Sequence, residues 1–298
     1  MTTIASTTHN AIHDNSILAA GPACEERALR LFRALALARM TGMVFRAARA
    51  VSGAVVAVVV ALSLLVASLL VAPAASAAVV VHPGDVIRIQ YSNGARYGCT
   101  LNSVAQRGGA LYGVTAGHCL APIGGARPVA VYAADGRTLL SDLRDSGYTY
   151  EGDNTLGGAL TDVAWFRLPG DAVNASVVRG GYVDLPFFGA NHAVSQFAQR
   201  VHPNRAVVSR QPVTSVKQWD VVCKDGGRTS RTCGRVLNVN PDTGEIAVAI
   251  LAWQGDSGAP VYTVNPDGSV NIIGIASGTA YGFLLAVDSA LPLPAGLR

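Results

Sequence analysis

Three short stretches of the chain carry side chains whose types and order could do chemistry. Val114-Thr115-Ala116-Gly117-His118-Cys119 ends an apolar run, turns through glycine and presents a histidine beside a cysteine. Thr161-Asp162-Val163-Ala164-Trp165 puts an acid at the head of an apolar strand, and Gln254-Gly255-Asp256-Ser257-Gly258-Ala259-Pro260 sets a serine between glycines. Taken singly, each has an ordinary reading: a hydrogen-bonded histidine, a turn acid and a loop. In the order His118, Asp162, Ser257 they supply the three parts of nucleophilic acyl transfer. A serine hydroxyl is a weak nucleophile at neutral pH, so an imidazole must take its proton during attack and return it to the leaving group. An unperturbed imidazole titrates at about pH 6.5, which suits His118 to that shuttle. A buried carboxylate, Asp162, would fix its tautomer and stabilise the imidazolium. The oxyanion that forms needs backbone N–H donors. Gly255 and Ser257 are the candidates, and such donors are worth about 3 to 4 kcal/mol each.

The elements that must position these residues read as strands. Short β-branched and aromatic runs are broken by turn signals: Val86 to Tyr91 before Ser92-Asn93-Gly94, and Asp162 to Leu168 before Pro169-Gly170. Val221 to Cys223, Glu245 to Ala252, Val261 to Val264 and Val270 to Ile275 continue the pattern. Many short strands at this spacing predict an all-β sandwich or barrels, and no long amphipathic helical stretch is expected after residue 80. The stretch from about Asn174 to Pro212 lacks a strand rhythm until Arg205 and is the candidate connection between two halves.

Composition separates a working protein from a leader. The 298 residues are 50% hydrophobic and only 14% charged, with five cysteines, which excludes a disulfide-stapled miniprotein and a disordered tail. Six arginines between residues 27 and 49, an uncharged run from Val51 to Ala72, and Ala75-Ser76-Ala77 make residues 1–77 a secretion leader. The 22-residue uncharged run could also span a bilayer, so a retained signal anchor is the alternative, and Met40 or Met43 are alternative starts. Without the leader the formal net charge falls from +4 to +1, and nothing argues for nucleic acid or an anionic membrane as partner. Cys24 leaves too, and four cysteines in an exported chain read as two disulfides.

Thr115-Ala116-Gly117-His118-Cys119 followed by Gly255-Asp256-Ser257-Gly258 resembles the chymotrypsin-like serine proteases over residues 84 to 290. Val222 to Gly234 resembles the small disulfide hairpin of the bacterial streptogrisin and alpha-lytic branch. The resemblance implies two perpendicular six-stranded antiparallel β-barrels with the active site in the cleft between them. The implied layout is a first barrel at 78–180, a connection at 181–205 and a second barrel at 206–298. It implies bridges Cys99–Cys119 and Cys223–Cys233; their spacings do not fit zinc ligation, so no metal and no cofactor are expected. His82, His192 and His202 are read as surface or loop histidines, and Lys224, Arg228, Arg231 and Arg235 as a solvated ribbon.

The resemblance also assigns specificity and activation. Leu251, six residues before Ser257, takes the place of the pocket floor, and Ser277, Gly278 and Thr279 that of the strand and wall meeting the substrate. Lacking an acid at the floor and narrowed by Thr279, such a pocket implies a small or medium apolar residue before the scissile bond. The expected mature start, Ala78-Val79-Val80, lacks the Ile-Val-Gly-Gly that switches on animal relatives, so Lys224 is expected to pair with Asp256. Only 21 residues separate Ala77 from Cys99, too few for a large folding pro-domain. The implied protein is a monomeric endopeptidase, secreted or in the cell envelope, acting on polypeptides. A catalytically inactive binding protein on the same scaffold and an esterase using the same three residues are the alternatives.

Overall fold

Along Val86-Ile87-Arg88-Ile89-Gln90-Tyr91, Ile87, Ile89 and Tyr91 are buried while Arg88 and Gln90 are partly exposed, the period-two pattern of a strand with one face on a core. The same logic runs through most of this mainly β structure, a computed structural model that describes residues 78–151, 162–184, 191–280 and 284–289. The leader expected at 1–77 and the side chain of Thr279 lie outside the described residues.

The first half contains β1 (Val80–Val81), β2 (Val86–Tyr91), β3 (Arg96–Thr100), β4 (Ser103–Arg107) and β5 (Ala110–Thr115), then the one-turn helix α1 (Gly117–Leu120). It continues with β6 (Pro128–Ala133), β7 (Leu139–Asp142), α2 (Leu143–Ser146), β8 (Tyr148–Glu151) and β9 (Val163–Arg167). Antiparallel pairings make two four-stranded sheets, ordered β3-β2-β6-β7 and β4-β5-β9-β8. The chain itself joins the sheets at two corners: β3 runs into β4 through Leu101 and Asn102, and β7 into β8 through α2. With each corner counted as one bent strand, six strands close around Ile87, Ile89, Leu101, Val114, Val131 and Phe166. Closure removes free edges, the principal hazard of an all-β chain.

Next come β10 (Val173–Asn174), which pairs in parallel with β1, and β11 (Val177–Val178). The connecting stretch, read from the sequence only as lacking a strand rhythm, then folds into α3 (Asn191–Val201), an 11-residue helix. Asn191 to Val201 contains neither Gly nor Pro to break a helix, and Ala193, Val194, Phe197, Ala198 and Val201 recur at helical spacing, but the pattern spans only 11 residues and Phe197 and Val201 stay exposed.

The second half is built from β12 (Arg205–Arg210), β13 (Val221–Gly226), β14 (Ser230–Asn240), β15 (Glu245–Ala249), β16 (Pro260–Val264), β17 (Val270–Ala280) and β18 (Leu284–Ser289). Here β13-β14-β15-β18-β17-β16 returns by hydrogen bonds to β13, a closed six-stranded antiparallel barrel. Val222, Val236, Ile246, Val248, Val261 and Ile273 fill it. β11 and β12 attach outside the ring, β12 lying parallel to β17. The halves are stitched where they meet: Asn102 Nδ2 donates to Gly274 O at 3.0 Å, and Arg210 Nη2 to Val104 O at 2.8 Å.

Candidate active site

β5 delivers the chain into α1, whose single turn carries His118. Gly117 is required there by close approach: a Cβ would collide with Glu151 O and sit 2.9 Å from Asp162 Oδ1. From the other side, Tyr91 Oη donates to Cys119 O at 3.1 Å and Ala121 O at 2.9 Å, pinning the turn. Burial pushes the Tyr91 hydroxyl up to about 12, so it stays a donor.

Asp162 stands fully buried at the head of β9. Its Oδ1 accepts the His118 backbone N–H at 2.7 Å, and its Oδ2 lies 2.7 Å from His118 Nδ1 and accepts from Ser277 Oγ at 2.5 Å. An ionised carboxylate can only accept, so this geometry puts the imidazole proton on Nδ1 and leaves the Nε2 lone pair open. A buried acid with donors on both oxygens is held in one rotamer, and it holds the ring in turn.

Ser257 lies in the turn between β15 and β16. Asp256 N donates to Trp253 O at 2.9 Å and Gly258 N to Ala276 O at 2.7 Å, so the N–H groups on either side of Ser257 are consumed internally. Those of Gly255 and Ser257 make no hydrogen bond among the described residues. Two undonated N–H groups beside a partly exposed serine can receive a developing oxyanion. Gly258 takes φ +89°, where a Cβ would collide with Thr100 O and Thr115 Oγ1. Among the described residues no hydrogen bond joins Ser257 Oγ to His118 Nε2, although both line one cleft of about 370 Å³. Such bonds are commonly long without substrate and tighten when it binds.

Thr100, which the sequence did not single out, ties this turn to the first barrel. Its N–H donates to Ser257 O at 2.8 Å, its Oγ1 donates to Gly255 O at 2.8 Å and accepts from Gly227 N at 2.9 Å. Its type carries no signal, and its neighbour Cys99 is the clue nearest to it. Cys99 bonds to Cys119, locking β3 to α1, and Cys223 bonds to Cys233 across the β13–β14 hairpin.

That hairpin is only in part a solvated ribbon: Arg235 is exposed and Arg228 partly so. Lys224 is wholly buried, with Nζ 3.0 Å from Asp256 Oδ2 and 2.6 Å from Thr229 Oγ1. Asp256 also accepts from Thr229 Oγ1 at 2.7 Å and from the N–H groups of Trp253, Arg228 and Thr229 at 2.8 to 3.0 Å. Burial opposes its charge, but the Lys224 ammonium and these donors overcome it and hold the carboxyl below the usual carboxylate range. Arg231 is buried in a forked pair with Asp225, which also accepts from Tyr262 Oη at 2.8 Å. The residue types alone suggested solvation because they are charged. The fold buries Lys224 and the Arg231 side chain because each finds a partner on a neighbouring strand or turn. Nor is every lone histidine free: His82 Nδ1 lies 3.3 Å from Asp85, and His202 Nδ1 3.3 Å from Ser230 Oγ.

The substrate residues named from the sequence scatter. Ser277 is taken up by Asp162, and Gly278 is buried beside it where the β17–β18 register shifts. Leu251 is 51% exposed and does not line the cleft; its carbonyl accepts from Thr232 Oγ1 at 3.0 Å, which aims this segment along the hairpin. The cleft is walled instead by Arg88, Tyr97, Gly98, Asp184, Arg228 and Gln254, none of them foreseen in that role.

No family model matches the chain. Two uncharacterised proteins of Mycobacterium tuberculosis are each 32% identical to it over 91 residues, 30% of this chain and 41% of theirs. The chain thus spans about two fifths of the length of the curated relatives it matches. Among solved structures, Thermobifida fusca protease A is 21% identical with a TM-score of 0.47, covering 74% of this chain and 97% of that one. Cellulomonas bogoriensis chymotrypsin is 19% identical with a TM-score of 0.46 and the same coverage, and alpha-lytic protease homolog N4 is 20% identical with a TM-score of 0.43, covering 72% and 94%. By their names these structure neighbours are proteases.

Proposed function

We propose that the protein is an exported serine endopeptidase working through His118, Asp162 and Ser257. The observation that carries the reading is the fixed ring of His118. Asp162 holds both its Nδ1 and its backbone N–H, and it shares its cleft with Ser257 and two undonated N–H groups. Ser257 Oγ attacks the scissile carbonyl while its proton passes to His118 Nε2. The carbonyl oxygen takes the electron pair and accepts from the N–H groups of Gly255 and Ser257. As the C–N bond breaks, His118 returns the proton to the leaving amine, leaving an ester on Ser257. Water then attacks this ester, His118 taking its proton and giving it back to Ser257.

Lys224 in this reading fills the place of a cleaved N-terminus. Asp256 has its acceptor sites satisfied internally, and the N-terminal strand β1 is hydrogen-bonded to β10, so activity needs no trimming. The acid in the cleft, Asp184, is engaged by Arg228 at 2.9 Å and offers little to an Arg or Lys side chain. A preference for Arg or Lys before the scissile bond is therefore not expected. Two disulfides fit an oxidising, extracytoplasmic setting. The test is labelling of the purified protein with a fluorophosphonate probe, Ser257→Ala as control, alongside peptide and ester turnover. Labelling with peptide cleavage supports the reading. No labelling refutes it, and ester cleavage alone replaces it with an esterase.

A further inference from the structure

The wall of the cleft beyond His118 carries a charge that acyl transfer leaves unused. β2 turns Ile87, Ile89 and Tyr91 into the core and leaves Arg88 on the other face, where it lines the cleft with Gly98, Cys99, His118 and Ser257. Arg88 is paired across the sheet with Gly98 on β3. A Cβ at Gly98 would come 3.0 Å from Arg88 Nη1, so the missing side chain is what lets the guanidinium lie across that strand. The other guanidinium of the cleft, Arg228, already has a counter-ion. Its Nη1 donates to Asp184 O at 2.6 Å and Oδ2 at 2.9 Å, and its Nε to Gln254 O at 3.0 Å. Arg88 makes no hydrogen bond or ion pair among the described residues, although it is half-buried.

A partly desolvated guanidinium without a counter-ion favours an anion placed against it, and its planar fork matches a carboxylate. We infer that Arg88 selects for a carboxylate on the leaving-group side of the scissile bond. The side follows from the chemistry proposed above, on which this inference rests. His118 hands its proton to the departing amine, so the departing chain runs from His118 past Cys119 and Cys99 toward Gly98 and Arg88. The carboxylate is either the side chain of Asp or Glu shortly after the cleaved bond or the C-terminal carboxylate of a short substrate.

Quenched-fluorescent peptides in matched pairs test this, with Glu against Gln at each of three positions after the cleaved bond, and a free C-terminus against an amide. Wild type, Arg88→Gln and Arg88→Lys are compared. The wild type is expected to favour one carboxylate peptide about fivefold in kcat/KM. That ratio should shrink as salt is raised, fall to unity in Arg88→Gln and be partly kept in Arg88→Lys. The pair showing it tells an acidic side chain from a chain terminus. A wild-type ratio of unity in every pair, or a ratio unchanged in Arg88→Gln, overturns the assignment. Fluorophosphonate labelling of the same preparations separates the failures. Labelling without carboxylate preference removes Arg88 alone, whereas absence of labelling removes the protease reading and this inference with it.

Discussion

Asp162 and His118 meet twice: Oδ1 takes the histidine's backbone N–H and Oδ2 faces its Nδ1, each at 2.7 Å. One carboxylate thereby sets both where the α1 turn sits and how the ring on it is oriented. A single bond would leave the ring free to pivot; two anchor main chain and side chain to the same buried group.

Replacing Asp162 by Asn keeps the shape but puts an amide where an acceptor must face Nδ1, which favours the wrong tautomer. The expected loss in kcat is on the order of 10⁴, with a circular dichroism spectrum like that of the wild type. Steady-state kinetics on a peptide substrate measure it.

Ser277→Ala removes the hydroxyl that donates to Asp162 Oδ2 and leaves both contacts to His118 in place. The loss should be far smaller, about 1.5 kcal/mol or roughly tenfold in kcat/KM, the scale of one hydrogen bond to a charged group. A loss as large as that of Asp162→Asn would mean that Ser277 does more than position the acid.

Lys224→Met leaves Asp256 buried without its ammonium, and uncompensated burial of that kind costs about 3 to 5 kcal/mol. Denaturant unfolding measures it. The same site sets an acid limb. Asp256 has a lowered folded-state pKa, so the stability it contributes is complete above the ordinary carboxylate range, about 4, and is lost as the pH falls below it. The gap in unfolding free energy between the wild type and Asp256→Asn should therefore narrow from about pH 5 to about pH 2. A constant gap would show that the carboxylate's charge contributes nothing.

Gly117→Ala forces a methyl group against Glu151 O and Asp162. The α1 turn must move, carrying His118 off its acid, so activity should fall by about 10²-fold or more, as misplacement on the order of 1 Å does. Thermal unfolding should change less, because the core residues Ile87, Leu101 and Val131 keep their packing.

The strands and the chemistry-bearing residues were legible because both are local. Alternation in Val86 to Tyr91 marks a strand wherever it ends up, and glycines around Ser257 mark a turn that can expose both a hydroxyl and backbone N–H groups. α3 was passed over although Ala193, Val194, Phe197, Ala198 and Val201 recur at helical spacing, because a pattern of only 11 residues is a short signal and the fold buries Ala198 alone of them. Within the basic hairpin, Lys224 and Arg231 were misread as solvated because the partners that justify burying them are fixed by pairing and not by neighbourhood. Asp256 is 32 residues from Lys224, and Tyr262 is 37 residues from the Asp225 that holds Arg231.

What the sequence determined by itself was therefore an inventory: a histidine, an acid and a serine on turns and strand ends of an all-β chain, with four cysteines to brace them. Only the tertiary structure decided which groups serve that inventory. Thr100 reaches Gly255 across 155 residues of chain, Ser277 reaches Asp162 across 115, and Leu251, close to Ser257 in sequence, turns away to the surface. The physical reason is barrel closure. Two rings of strands, once shut, bring remote corners within hydrogen-bond distance and swing near neighbours apart. Separation along the chain adds little to the cost of the first and gives no protection against the second.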